Sequence, residues 1–409
     1  MRHPYRLVVI FGFAVVLILV LAFPCQLRGP DPWAYFYAIH NFAHGRFIVD
    51  DATHNQQARE VESQSGRLTQ YVQVGKNRWA LEKAPGYPLL AVPFYWLGLP
   101  HITNVTLALA ALAVIYAFLR QLFDERVACF GCLLFLFTPA NLVMFHESYM
   151  AMFAASALLT IGGGLYFCSL LSERPRLRPW LLLLSGLALG WAAVCRLTNL
   201  FVVLVFALHL TLTNGRKLFK GSTPNWRELA SFGLGCGLAL VVLLAYNSHV
   251  FGSPFDHGYN YSPYHPTLAY QYLGREGERE KTWTVVIQNV RSLSLPLTQG
   301  FPLLIMALPG LFCAWRRLPR SIYILTTGWL LAVYLPAMQL TWLPRLLRQY
   351  PDASLRHLLL DRYFLPGLFP LVVLAVALLH IILKKWGLAL AVAYGLVGSW
   401  LYLRGLAVR

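Results

Sequence analysis

Asp31, Glu82, Lys83, Glu147, Arg196 and Arg362 are residues of this chain whose types and positions could do chemistry. Each stands at the edge of a long apolar stretch or in a polar segment between two of them, where a charge must find a partner or face water. Asp31 opens Asp31-Pro-Trp-Ala-Tyr35, and Glu82-Lys83 precedes the rigid turn Ala84-Pro-Gly-Tyr-Pro88. His146-Glu147 forms nearly the whole connection between two apolar stretches, while Cys195-Arg-Leu-Thr-Asn199 and Asp361-Arg362-Tyr363-Phe-Leu-Pro366 hold cations. A positioned carboxylate can take a proton from a reacting group. A guanidinium or ammonium group at headgroup level can bind a phosphate.

Each residue also has an ordinary use. Asp31-Pro32 reads equally as a helix start, with Asp at the N-cap and Pro at the first helical position. Glu82-Lys83 could be an exposed ion pair worth little. Glu147 and Arg196 could anchor helix ends by reaching to the interface, and Arg362-Tyr363 could belong to the Arg and aromatic belt of a membrane boundary. Asp50-Asp51 with His54 lacks a further spaced ligand, so a solvated turn is favoured over a metal site.

The elements that must position these side chains are membrane spans. Of 409 residues, 57% are hydrophobic and 12% charged, and the mean hydropathy of +0.54 exceeds what a soluble globular surface tolerates. The expected fold is all-α and polytopic. About eleven apolar stretches of roughly 17 to 22 residues could each cross ~30 Å of hydrocarbon. They fall near 7–23, 102–119, 127–145, 149–171, 179–194, 198–213, 229–246, 301–315, 321–338, 366–383 and 386–403. The first is expected to be retained as a helix, because Phe23-Pro24-Cys25-Gln26 lacks the small-x-small pattern of a cleavage site.

Basic clusters at 120–126, 174–178, 216–227, 316–320 and 384–385 fall in alternate loops, on one side. The positive-inside rule makes that side cytoplasmic, giving a multi-pass inner (plasma) membrane protein with a cytoplasmic N-terminus and an external C-terminus. The segments on that side, with Arg2 and Arg6, hold 16 of the 34 basic residues and only four of the 17 acids, Asp124, Glu125, Glu173 and Glu228. Much of the net charge of +17 is therefore topology, and no nucleic-acid partner is implied.

Three external segments, 24–101, 247–300 and 339–365, are expected to form a cap on a single membrane domain covering 1–409. In the first, Trp33, Tyr35, Phe36, Ile39, Phe42 and Ala43 recur at helical spacing and predict an interfacial helix ending near Gly45. Six of the seven cysteines fall within or at the ends of predicted spans, so no disulfide framework is expected. Cys129-Phe-Gly-Cys132 reads as small-residue helix packing rather than a redox or zinc motif.

Taken in order and by topological side, these motifs, together with Phe251-Gly-Ser-Pro-Phe-Asp-His-Gly-Tyr259, resemble the bacterial phospholipid-carrier-dependent glycosyltransferases. That group lies in the GT-C superfamily with the protein O-mannosyltransferases and the aminoarabinose transferase of lipid A. The resemblance implies a GT-C fold and an external site that takes a polyprenyl-phosphate-linked sugar, hexosyl or pentosyl, and passes it to a lipid, glycan or protein acceptor. It implies Asp31 as the base or acceptor-orienting group, with Glu147 as a second catalytic acid. It places Lys83 and Arg362 at the carrier phosphate, with Glu82 holding an ion or the acceptor. Two departures stand out: Ala84 replaces the first proline of the usual Lys-Pro-Pro, and Pro32 follows Asp31 where many relatives have a second acid. The second change weakens the case for a two-carboxylate metal site in that loop.

The residue types suit the chemistry on their own terms. Displacing a phosphate from an anomeric carbon requires charge neutralised on the leaving oxygen, which Lys83, Arg362 and Arg196 could supply. A carboxylate on the opposite face, Asp31, would take the acceptor's proton, and single displacement predicts inversion. A donor that already carries a phosphate leaving group needs no metal, so no cofactor is counted as essential and no metal ligands are assigned. Tyr259, Tyr363 and the tyrosines near Tyr259 could bind a sugar ring or the phosphate, or form an interfacial belt. The competing expectation is a transporter or lipid flippase of envelope glycan assembly, which should show mid-membrane charges or interrupted helices. No Asp or Glu falls in the middle of a predicted span.

Overall fold

In the computed structural model, the described residues are 30–65, 70–146, 149–262, 282–339 and 362–382, with a few positions near either end. Among the described residues, seven helical runs are long and apolar enough to cross a membrane. They are α4 (Ile102–Leu122), α7 (Ala151–Leu171), α8 (Arg178–Cys195), α9 (Leu200–Phe219) with the 3-10 turn before it, α10 (Trp226–Phe251), α13 (Arg320–Met338) and Arg362–His380. The last run contains most of α14 (Leu368–Ile382). These coincide with seven of the eleven expected stretches.

The stretch expected at 127–145 is broken, because α5 (Glu125–Leu136) and α6 (Pro139–His146) meet at 63°. Pro139 cannot continue the hydrogen-bond ladder, and side chains take up carbonyls at the break. Asn141 Nδ2 donates to Phe135 O at 3.0 Å, and Thr138 Oγ1 donates to Leu134 O at 2.7 Å. The stretch at 301–315 forms α12 (Leu303–Arg317), a helix of 15 residues with Pro309 inside it and too short for a full span. The first and last expected stretches lie largely outside the described residues.

Helix α7 and the run Arg362–His380 are central, with 78% and 89% of their spanning windows buried. Both are apolar around their whole circumference, the pattern of a helix enclosed by others. Around them α4, α9, α10 and α13 keep leucines such as Leu109, Leu204, Leu238 and Leu331 exposed, as lipid-facing surfaces require. Cys129 and Cys132 are buried in α5, where the Cys132 thiol donates to the Leu112 carbonyl at 3.6 Å.

The first of the segments expected to be external carries a small sheet that the helical spacing did not announce. After α1 (Pro30–Ala43) come β1 (Ile48–Val49), α2 (Asp51–Ser65), β2 (Tyr71–Gly75), β3 (Arg78–Leu81) and α3 (Gly86–Trp96). The strands are antiparallel in the order β1-β3-β2, with Ile48 opposite Ala80 and Tyr71 opposite Leu81. Asn77, at φ 57°, turns β2 into β3 and accepts a hydrogen bond from Asp51 N at 2.6 Å. Asp50 accepts one from Thr53 N at 2.8 Å, capping α2, and His54 stacks on Trp79 with ring centroids 3.9 Å apart. Asp50, Asp51 and His54 thus build a turn. Polar α2 covers the sheet, while Trp33, Tyr37, Phe42, Tyr71, Leu81 and Tyr246 form a core separate from that of the membrane helices.

Candidate active site

The start of α1, the β3–α3 turn, the α8 end, the Gly258–Tyr261 turn and the start of the Arg362–His380 run meet at one place. Asp31, in the first turn of α1, turns its carboxylate to cations brought from far along the chain. Arg362 NH1 lies 2.8 Å from its Oδ2, and Lys83 Nζ lies 3.9 Å from its Oδ1. Glu82 Oε2 is 3.4 Å from the same ammonium. Arg362 NH2 donates to the Tyr363 hydroxyl at 3.1 Å, and Arg196 NH1 donates to the Arg362 carbonyl at 3.2 Å. Both guanidinium carbons stand 5.1 Å from the Tyr363 ring centroid, and Lys83 Nζ stands 5.1 Å from that of Tyr259. Such distances fit cation–π contact.

Local sequence explains why these groups are held there. Glycine at 86 lets α3 abut α8: a Cβ on it would meet Cys195 N at 2.5 Å and Val194 C at 2.6 Å. Trp191 Nε1 donates to the Gly86 carbonyl at 3.0 Å across that contact. Gly258 approaches the other flank of the pair, where a Cβ would meet Glu82 O at 2.4 Å. That turn is folded by Asp256, which accepts hydrogen bonds from the Tyr261 hydroxyl at 2.7 Å and from His257 N at 3.0 Å. Within Cys195-Arg-Leu-Thr-Asn199, Asn199 Nδ2 caps the Ala192 carbonyl at 2.9 Å, which ends α8 and leaves Arg196 extended. The segment after Arg362 is pinned by Ser156 Oγ donating to Leu365 O at 2.9 Å and Trp329 Nε1 donating to Pro366 O at 2.9 Å.

Asp31, Lys83 and Arg362 are each less than one fifth exposed. Burial alone would raise the Asp31 pKa, but Lys83 and Arg362 outweigh it and hold the carboxyl below the usual carboxylate range. Burial likewise opposes the charge on Lys83, yet the anionic surroundings raise its pKa and keep it cationic. Counting Asp31 and Glu82 against Lys83, Arg196 and Arg362, the site carries one net positive charge. One Glu82 oxygen, Oε1, and Arg362 Nε are buried with no hydrogen-bond partner among the described residues. Beside Arg196 lies a cavity of about 30 Å³ lined by Asn199, Val333, Pro336 and Tyr363. It borders α13, whose Leu331 and Leu335 are exposed.

Seven of the eight residues singled out from sequence are brought together here: Asp31, Glu82, Lys83, Arg196, Tyr259, Arg362 and Tyr363. Glu147 lies outside the described residues; Tyr149, two residues on, packs edge-on against Phe36 of α1 at 5.4 Å. Asp31 does not act as an N-cap, because the helix begins at Pro30 and the carboxylate is engaged elsewhere. Tyr35 is the residue that sequence reasoning missed. It is buried edge-on against Tyr87 and lies in the electrostatic reach of Tyr259, Asp31, Lys83 and Arg196. Its position one helical turn after Asp31, on the same face, was the available signal. Among the described residues no three His, Cys, Asp or Glu side chains could together hold a metal ion.

The profile of the dolichyl-phosphate-mannose-protein mannosyltransferase family matches residues 101–244. Comparison with curated protein sequences gives no match. Among solved structures, ArnT from Cupriavidus metallidurans bound to undecaprenyl phosphate is similar with a TM-score of 0.62 at 16% identity, over 96% of this chain and 63% of that one. The apo Archaeoglobus fulgidus oligosaccharyltransferase is similar with a TM-score of 0.58 at 11% identity, over 100% and 54%. The archaeal oligosaccharyltransferase AglB from Archaeoglobus fulgidus, in complex with an inhibitory peptide and a dolichol-phosphate, gives 0.57 at 12% identity, over 99% and 56%. The chain thus spans between half and two thirds of the length of these proteins. Across nearly all of its own length, this multi-pass membrane protein shares the fold of ArnT and of the Archaeoglobus fulgidus oligosaccharyltransferase.

Proposed function

We propose that this chain is a membrane glycosyltransferase that moves a hexosyl or pentosyl group from a polyprenyl-phosphate-linked donor to an acceptor on the external face of the inner membrane. The observation that carries the proposal is the Asp31 carboxylate within a cradle of Lys83 and Arg362, backed by Arg196. In the reaction, the acceptor's proton passes to Asp31 as the acceptor atom bonds to the anomeric carbon. The bond from that carbon to the phosphate oxygen breaks, and its electron pair leaves with the polyprenyl phosphate. Lys83, Arg362 and Arg196 neutralise that charge, and attack opposite the leaving group inverts the anomeric centre. Glu82 orients Lys83, the Tyr35 hydroxyl donates to the phosphate or the acceptor, and Tyr259 and Tyr363 face the sugar. Glu147 acts as a second acid toward the acceptor.

The similarity to proteins solved with undecaprenyl phosphate and dolichol-phosphate supports this choice of carrier. The cavity beside Arg196 supports a carrier chain entering along α13. The basic clusters at 120–126, 174–178, 216–227 and 316–320 support a cytoplasmic N-terminus and an external site.

The test is release of polyprenyl phosphate from a polyprenyl-phosphate sugar by the purified protein. Asp31→Asn, with its fold checked by thermal unfolding, is expected to lose about 10²- to 10⁴-fold in turnover. Near-normal turnover in that variant rejects the assignment.

A further inference from the structure

Resting on the glycosyl-transfer reading above, we infer that the Asp31–Arg362 ion pair is exchanged for the donor's phosphate, so that Asp31 becomes a base only in a donor-loaded site. Both carboxylate oxygens face cations, Arg362 at 2.8 Å and Lys83 at 3.9 Å. The two side chains proposed to grip the phosphate are therefore engaged with the group proposed to take the acceptor's proton. A carboxylate so paired has low proton affinity, the wrong property for a base. The site's single net positive charge matches the single negative charge of a phosphodiester, so a donor can be held with Asp31 still ionised.

The charged and titratable groups around Asp31 among the described residues bear on the exchange. Lys83 and Glu82 come from the β3–α3 turn, Arg362 and Tyr363 from the start of the Arg362–His380 run, Arg196 from the α8 end and Tyr259 from the Gly258–Tyr261 turn. Tyr35 comes from Asp31's own helix. Phosphate drawn onto Arg362 and Lys83 removes N–H groups from Asp31 and adds a neighbouring negative charge. Both changes raise its proton affinity.

The acceptor's proton then moves to Asp31, the acceptor-to-carbon bond forms, and the carbon-to-phosphate oxygen bond breaks with its electrons on the phosphate. When polyprenyl phosphate departs, Arg362 and Lys83 return to the carboxylate and its proton is released to water. Donor binding precedes acceptor activation, and an empty site does not deprotonate acceptors.

A polyprenyl methyl phosphate is a suitable probe, being a phosphodiester that does not titrate near neutrality. It is titrated calorimetrically onto the full chain in detergent, using buffers of different ionisation heat. At about pH 5 a carboxylate of raised proton affinity is partly protonated, and at higher pH it stays ionised. At that lower pH wild type is expected to take up a fraction of a proton on binding, whereas Asp31→Asn and Asp31→Ala take up none and bind about 10-fold tighter. Arg362→Ala and Lys83→Ala bind about 10-fold weaker.

If the Asp31 variants bind no tighter and wild type takes up no protons, while the cation variants bind weakly, the exchange is overturned and the phosphate site stands. If the cation variants bind as wild type does, the phosphate site fails and the exchange falls with it. Should the Asp31 variants not fold, proton uptake by wild type decides: none overturns the exchange.

Discussion

Gly86→Ala places one methyl group at the joint between α3 and α8, and its effect can be worked from the coordinates. The new Cβ would sit 2.5 Å from Cys195 N and 2.7 Å from Val194 O, both backbone atoms that no side-chain rotation can clear. Carbon makes its best non-bonded contacts at about 3.5–4.0 Å, so the two elements must part by about 1 Å. Overpacking of this kind costs about 1–3 kcal/mol of stability. The 3.0 Å bond from Trp191 Nε1 to the Gly86 carbonyl stretches with it. The larger effect falls on the site, because Lys83 precedes this joint by three residues and Arg196 follows it directly. Misplacement by about 1 Å can lower a rate about 10²-fold.

The assay pairs turnover of a polyprenyl-phosphate sugar with thermal unfolding in the same detergent. Gly237→Ala serves as the control, because a Cβ there meets nothing within 4 Å. It should leave turnover unchanged and stability equal or higher by up to about 1 kcal/mol. Wild-type turnover and stability in Gly86→Ala would show that the joint yields freely and does not position the cations.

Tyr35→Phe removes one hydroxyl from the buried face of α1, and turnover is expected to fall roughly 10-fold while the unfolding temperature holds, consistent with one hydrogen bond made in the reacting complex. Asn199→Ala removes one of the two hydrogen bonds to the Ala192 carbonyl, which keeps Arg196 N at 3.0 Å; unfolding measurements should show a loss of about 0.5–1.5 kcal/mol, with a raised KM as Arg196 loosens. Asp31 is held below the ordinary carboxylate range by Lys83 and Arg362. The stability contributed by its ionised form is therefore complete above about pH 4 and is lost as pH falls through its lower folded value. Unfolding curves of wild type and Asp31→Asn should keep a constant gap from pH 5 to pH 8, by choice of buffers, and converge only in stronger acid; convergence near neutrality would contradict the pairing.

Span positions were legible because hydropathy over about 20 residues is a strong signal, and seven of the eleven expected stretches are full helices. The break at Phe137-Thr138-Pro139 was less so, since Pro139 marks it but the apolar run continues across. The three-stranded sheet was hidden by its size: strands of two, five and four residues carry little alternation, and only Gly75-Lys-Asn77 hints at the turn. Charges at membrane edges pointed to Asp31, Lys83, Arg196 and Arg362, because such placement is costly unless paired. What pairs with what was not readable. The helix-start reading of Asp31-Pro32 was locally sound and gave way to an arginine 331 positions away. Tyr35 was taken for part of an apolar stripe, and its hydroxyl's surroundings depend on elements from three other parts of the chain.

That separation has a consequence for biosynthesis. Chain emerges from the ribosome at about 5–20 residues each second, so Asp31 and Lys83 must wait tens of seconds, through the insertion of every intervening helix, before Arg362 arrives. On the proposed function, a partly synthesised protein has no finished reaction centre and cannot spend lipid-linked sugar on whatever lies nearby. The same late union makes the arginine a fastening for correct topology: the helix that Arg362 opens, inserted the wrong way round, would leave the early carboxylate without its partner, and the misassembled product would be inert.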